Sequence, residues 1–69
     1  MNIFINGESL VVDANGTLEA ALKQFLPQSK QELSFAVALN SDFVSKSEYA
    51  STSLKEGDAI DVLFPIYGG

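Results

Sequence analysis

The sequence predicts an α+β fold, a mixed β-sheet wrapped around one main helix, with a short tail leaving the last strand. Three features carry that expectation. Apolar residues recur at every second position near both ends, Ile3 and Ile5 at one and Ile60, Val62 and Phe64 at the other, which is the period of a half-buried strand. Between them lies one run with helical spacing: Leu18, Ala21, Leu22, Phe25 and Leu26. The 69 residues supply one modest core, because a chain near this length buries only about 60% of its unfolded surface. A helix with five apolar positions covers one face of one small sheet, so two layers are the stable solution. One domain over residues 1–64 and a flexible tail over residues 65–69 are expected.

Met1, Ile3 and Ile5 alternate with Asn2, Phe4 and Asn6, and Asn6-Gly7 separates them from Leu10, Val11 and Val12. Asn-Gly between two such segments signals a two-residue hairpin turn, whose central residues both take positive φ. Asp13 to Gly16 has loop chemistry, and Thr17 is placed to cap the helix. Glu19 stands one position early for a capping box, yet its charge suits the positive end of the helix dipole. Pro27 disfavours helical geometry at Leu26 and sets the stop; the polar stretch Gln28 to Ser34 is a connection.

Phe35 to Leu39 is apolar on both faces, with large Phe35, Val37 and Leu39 alternating with small Ala36 and Ala38. That pattern suits an inner strand with one face under the helix. A turn at Asn40 to Asp42 leads into the short strand Phe43-Val44. Ser45 to Ser53 has little periodicity, and Tyr49 is its packing anchor. Lys55-Glu56-Gly57-Asp58 forms a turn before the final strand of Ile60, Val62 and Phe64. The expected order is β, β, α, β, short β, β.

The chain has no cysteine and no histidine, so thiol nucleophiles, thiolate metal sites and the usual general base are all missing. No catalytic constellation remains for a self-contained enzyme. Nine acidic residues against four basic ones, net −5, oppose binding to nucleic acid and favour steering toward a basic protein surface. No cationic segment followed by an apolar run opens the chain, and no window approaches a membrane span. A cytoplasmic chain, monomeric when free and without membrane association, is expected.

In this order of elements, FAVALNSDFV, SEYA, LKEGDAIDVLFP and the terminal Gly68-Gly69 resemble the ThiS family, the ubiquitin-like sulfur carriers of thiamin biosynthesis. The resemblance covers essentially the whole chain. Its most specific parts are Ala36 to Asn40, the Gly57-Asp58 turn and the Gly-Gly end. Relatives often carry Pro-Arg after the short Phe-Val strand, where this chain has Ser45-Lys46 and keeps only the basic position. The molybdopterin-synthase small subunit MoaD is similar in fold and tail, although MoaD-like chains are usually longer. Three readings follow: a ThiS-type carrier, a MoaD-like carrier, and a ubiquitin-like binding module whose tail is never activated.

The ThiS resemblance implies a β-grasp fold and a protein cosubstrate with no cofactor of its own. A ThiF-type adenylyltransferase would activate the Gly69 carboxylate with ATP and magnesium, and a sulfur-donating enzyme would convert it to a thiocarboxylate. Thiazole synthase, the ThiG type, would take the sulfur. Gly68 and Gly69 add no Cβ to a closed reaction channel. Pro65 to Gly69, fully extended, spans up to about 18 Å, enough to thread into a partner, with Pro65, Ile66 and Tyr67 as contacts on the way. In the β-grasp arrangement the first and last strands are neighbours, so outward-facing Phe4 and Leu63 are expected to lie together near the tail's root as a docking patch. Asp58 and Asp61 are candidates for meeting basic partner residues, with Asp58 also read as a turn former.

Overall fold

Asn6 and Gly7 take φ of 51° and 83° in the computed structural model, the left-handed pair that a two-residue hairpin needs. The structure describes residues 1–26 and 34–64. The turn joins β1 (Asn2–Ile5) to β2 (Glu8–Val11), with Asn2 opposite Val11 and Ile5 opposite Glu8. Asn6 also reaches outside the hairpin: its amide donates to the Ile60 carbonyl at 2.9 Å, and its side-chain oxygen accepts from the Val62 amide at 2.8 Å. The turn therefore staples the start of the chain to its last strand.

Thr17 is extended, and its hydroxyl accepts from the Ala20 amide at 3.2 Å, capping α1 (Leu18–Phe25) as expected. Leu26 leaves the helix at φ −88° and ψ 131°, the geometry that the following Pro27 imposes. Leu18, Ala21, Leu22 and Leu26 are buried and Phe25 is half-buried, so the apolar stripe faces the sheet. Beside the stripe, Lys23 and Glu19 pair at 3.0 Å across one helical turn. The expected connection from Gln28 lies outside the described residues up to position 33.

β3 (Ala36–Leu39) and β4 (Asp42–Val44) form the second hairpin, and β5 (Ala59–Leu63) enters between the two hairpins. The sheet order is β2-β1-β5-β3-β4. β1 and β5 are parallel; the other pairs are antiparallel. This is the β-grasp arrangement. Ile3, Ile5, Val37, Ile60 and Val62 project from one face onto α1, and Val12, Tyr49 and Leu54 close the core around them. Each such side chain stabilises the fold by about 1.5–3 kcal/mol on burial.

Between β4 and β5 the chain forms a 3-10 helix, Lys46–Ser51, that the sequence did not signal. Only Tyr49 of its six residues is buried, so there is no repeating apolar position to reveal it. The turn before β5 is built as expected, with Gly57 at φ +85°. Asn40, itself at φ 50°, bridges this turn to the second hairpin: its Nδ2 donates to Asp58 Oδ1 at 3.1 Å and its Oδ1 accepts from the Ala59 amide at 3.0 Å.

Candidate functional site: the outer sheet face and the end of β5

Alternation along β5 sends Ile60 and Val62 into the core and leaves Ala59, Asp61 and Leu63 on the outer face of the sheet. Phe4 and Leu63 are exposed there, 43% and 51%, on the face expected for them. They do not lie together. Phe4 pairs with Ala59, so Leu63 is four residues farther along β5, about 13 Å away, with Asp61 between them. The cause is the register of the parallel pair, which sets Phe4 against Ala59 and Ile5 against Ile60 at the start of β5.

Leu63 instead borders β3. Ala36 lies opposite it, Ala38 lies opposite Asp61, and Phe43 of β4 lies opposite Ala38. Leu63, Ala36, Ala38 and Phe43 thus form an apolar stretch across three strands. Phe43 is 73% exposed, the most of any large apolar side chain among the described residues. Sequence reasoning named Phe43 only as part of a strand. The available signal was its pairing with Val44: in a two-residue strand at the sheet edge one side chain must point outward, and Val44 packs against the core.

At the end of β5 the apolar surface becomes aromatic. The Phe35 ring meets Phe64 at 5.6 Å between centroids, tilted by 60°, and stacks on Tyr49 at 6.5 Å with 10° between planes. An open groove of about 370 Å³ lies here, lined by Ser34, Phe35, Ala36, Leu63 and Phe64. Burial pushes the Tyr49 hydroxyl above the usual phenol range, so it is a neutral packing group at neutral pH.

Asp58 is a turn former rather than a docking charge. Its Oδ2 accepts from the Lys55 amide at 2.7 Å, its Oδ1 accepts from Asn40, and only 5% of it is exposed. Asp61 is exposed on the outer face. Among the described residues no group of three or more His, Cys, Asp or Glu side chains is placed to hold a metal ion, and no helix is long and apolar enough to cross a membrane. Pro65, Ile66, Tyr67, Gly68 and Gly69 lie outside the described residues.

The ThiS family model matches residues 2–69. The chain belongs to the ThiS family. The crystal structure of the thiamine biosynthesis protein ThiS from Geobacter metallireducens superposes on this ThiS-family chain with a TM-score of 0.76 at 26% identity, covering 100% of both. A solution structure of a thiamine biosynthesis protein from the same organism gives 0.68 at 26% identity, over 100% of this chain and 88% of that one. A protein described as thiazole synthase from Paramagnetospirillum magneticum is 35% identical over 69 residues. The ThiS-family chain is covered completely in that match but spans only 20% of the relative's length.

Proposed function

We propose that this protein is the sulfur carrier for the thiazole moiety of thiamin, a cosubstrate rather than a catalyst. The observation that carries the reading is the family match through residue 69, on a fold whose last strand is central in the sheet and precedes Gly68-Gly69 in the sequence. An α-carboxylate is ionised at neutral pH, pKa about 3.3–3.7, and its resonance makes the carbon a poor electrophile. In the proposed cycle a Gly69 carboxylate oxygen attacks the α-phosphorus of ATP on a ThiF-type enzyme, and magnesium pyrophosphate leaves. Hydrosulfide from a sulfur-donating enzyme then attacks the acyl carbon to form the C–S bond, the acyl–oxygen bond to AMP breaks, AMP departs with the electron pair, and loss of the sulfur proton leaves the thiocarboxylate.

Thiazole synthase is the proposed acceptor of that sulfur. A ThiS-like stretch within a relative described as thiazole synthase supports the pairing, since it puts carrier-like sequence and synthase in one chain. The outer face supplies the address: Phe43 and Leu63 offer apolar contact, and a net charge of −5 favours a basic partner surface. Pro65, Ile66 and Tyr67, which follow Phe64 in the sequence, are the proposed further contacts with the partner.

Intact mass spectrometry tests the reading, after incubation with a ThiF-type enzyme, ATP, magnesium and a sulfide source, followed by a thiol-alkylating reagent. With no cysteine in the chain, a label mapping to Gly69 identifies the thiocarboxylate. Oxidation of Met1 adds nearly the same mass as replacing oxygen with sulfur, but a sulfoxide is not alkylated as a thiol. Gly68→Val is expected to keep the fold and to slow adenylation by about 100-fold or more, because a branched Cβ misplaces the acyl group in a closed channel. An unlabelled protein, beside an enzyme proven active on another carrier, refutes the proposal.

A further inference from the structure

Asn-Gly occurs twice in the chain, at Asn6-Gly7 and at Asn15-Gly16. The dipeptide carries its own chemistry. The glycine amide nitrogen, with no Cβ beside it, attacks the asparagine carboxamide carbon; a C–N bond closes a cyclic imide and the bond to Nδ2 breaks. Nδ2 leaves as ammonia, taking the electron pair of that bond and the proton of the glycine amide. Water then opens the imide at either carbonyl, giving aspartate or isoaspartate, and in isoaspartate the main chain runs through Cβ and Cγ.

The fold treats the two pairs differently. At Asn6 the amide donates to the Ile60 carbonyl at 2.9 Å, and Oδ1 accepts from the Val62 amide at 2.8 Å. Those two bonds span Asp61 as one residue of a parallel ladder does, with the side-chain carbonyl in the place of the main-chain one. The main chain leaves in the other direction, since β1 lies between β2 and β5 and Gly7 leads to β2. The carboxamide is thus bonded on one flank of β1 while its nucleophile sits in the turn toward the other. Gly7 is exposed, with open space where a Cβ would stand, so the hold on the carboxamide rather than crowding limits the reaction. At Asn15 the restraint is reversed. Its side chain is exposed and makes no hydrogen bond to the described residues, whereas the Gly16 amide donates to the Asp13 carbonyl at 2.9 Å. Opening that one local turn frees the nucleophile.

We propose that Asn6-Gly7 is a latent deamidation site, closed by its bonds to β5, and that it reacts in molecules whose last strand has come away from β1. Conversion to isoaspartate lengthens the main chain at the residue that bridges Ile60 and Val62, so the modified molecule does not remake that rung. The reaction therefore withdraws opened molecules from the folded pool. This inference stands on the first hairpin and β5, and it holds or fails independently of the carrier reading.

The test incubates the full chain at one mildly alkaline pH, in buffer and in urea above the unfolding midpoint, and quantifies aspartate and isoaspartate at positions 6 and 15 by peptide mass mapping. In urea the two sites are expected to react at similar rates. In buffer Asn6 is expected to slow by at least about tenfold, following the small population of open molecules, and Asn15 by clearly less. Ile60→Val, which removes a buried methylene from β5, is expected to speed Asn6 about fivefold in buffer and to leave Asn15 within about twofold. Those results support the assignment. Slowing of Asn6 by less than tenfold, equal slowing at the two sites, or an Asn6 rate unmoved by Ile60→Val overturns it. If Ile60→Val does not fold, wild type in urea below the midpoint decides: an Asn6 rate that climbs with urea supports gating by β5, and a flat one overturns it.

Discussion

Asp58 illustrates how much of a residue's role depends on partners distant in sequence. Its carboxylate satisfies the Lys55 amide three positions away and the Asn40 side chain 18 positions away. Replacing it with alanine leaves both donors without that acceptor in a buried turn, which costs about 1–3 kcal/mol. Asp58→Ala is therefore expected to lower the denaturant midpoint clearly, whereas Asp61→Ala, two positions on and exposed, stays within about 0.5 kcal/mol of wild type. Equilibrium urea unfolding of the two variants checks the contrast. Sequence spacing marked both as acidic residues near the last strand. The short side of Asp58's environment was legible from Gly57; Asn40's contribution was not, because nothing local encodes a contact between two turns.

At the level of elements, α1 has only eight residues, too few to persist in water without its tertiary contacts. The Thr17 cap consequently acts on the stability of the whole domain. Thr17→Ala is expected to cost about 1 kcal/mol, seen as a lower midpoint of a single cooperative transition by circular dichroism. The helix, its cap, its stop and both hairpins could be read from sequence because each depends on neighbours within a few positions: Thr17 with Ala20, Leu26 with Pro27, Asn6 with Gly7. Register could not be read. Whether Phe4 stands beside Ala59 or Leu63 depends on where two strands more than 50 positions apart begin to pair, and no local pattern holds that information. The 3-10 helix escaped for a different reason, having a single buried side chain and so no period to detect.

Across the whole molecule, the correction to register moves the proposed docking surface from β1 toward β4. Phe43→Ser and Leu63→Ser are each expected to raise KM for adenylation by about tenfold, the loss of one well-buried apolar anchor at an interface, while thermal unfolding stays within a few degrees of wild type. Phe4→Ser, on the far side of Asp61, is expected to change KM less than twofold. Initial rates with a ThiF-type enzyme over a range of carrier concentrations compare the three. The strand order has a consequence for how such a molecule comes into being. β5 is the last of the five strands to be translated, yet it occupies the middle of the sheet, and the Val62 amide is tied to Asn6, 56 positions earlier. Until β5 emerges from the ribosome, the β1-β2 and β3-β4 pairs have no strand to join them, and long-range pairing of this kind slows folding. A chain cut short before Leu63 cannot assemble the face made by β3, β4 and β5. A chain that stops there lacks the proposed reacting end and the proposed docking surface together.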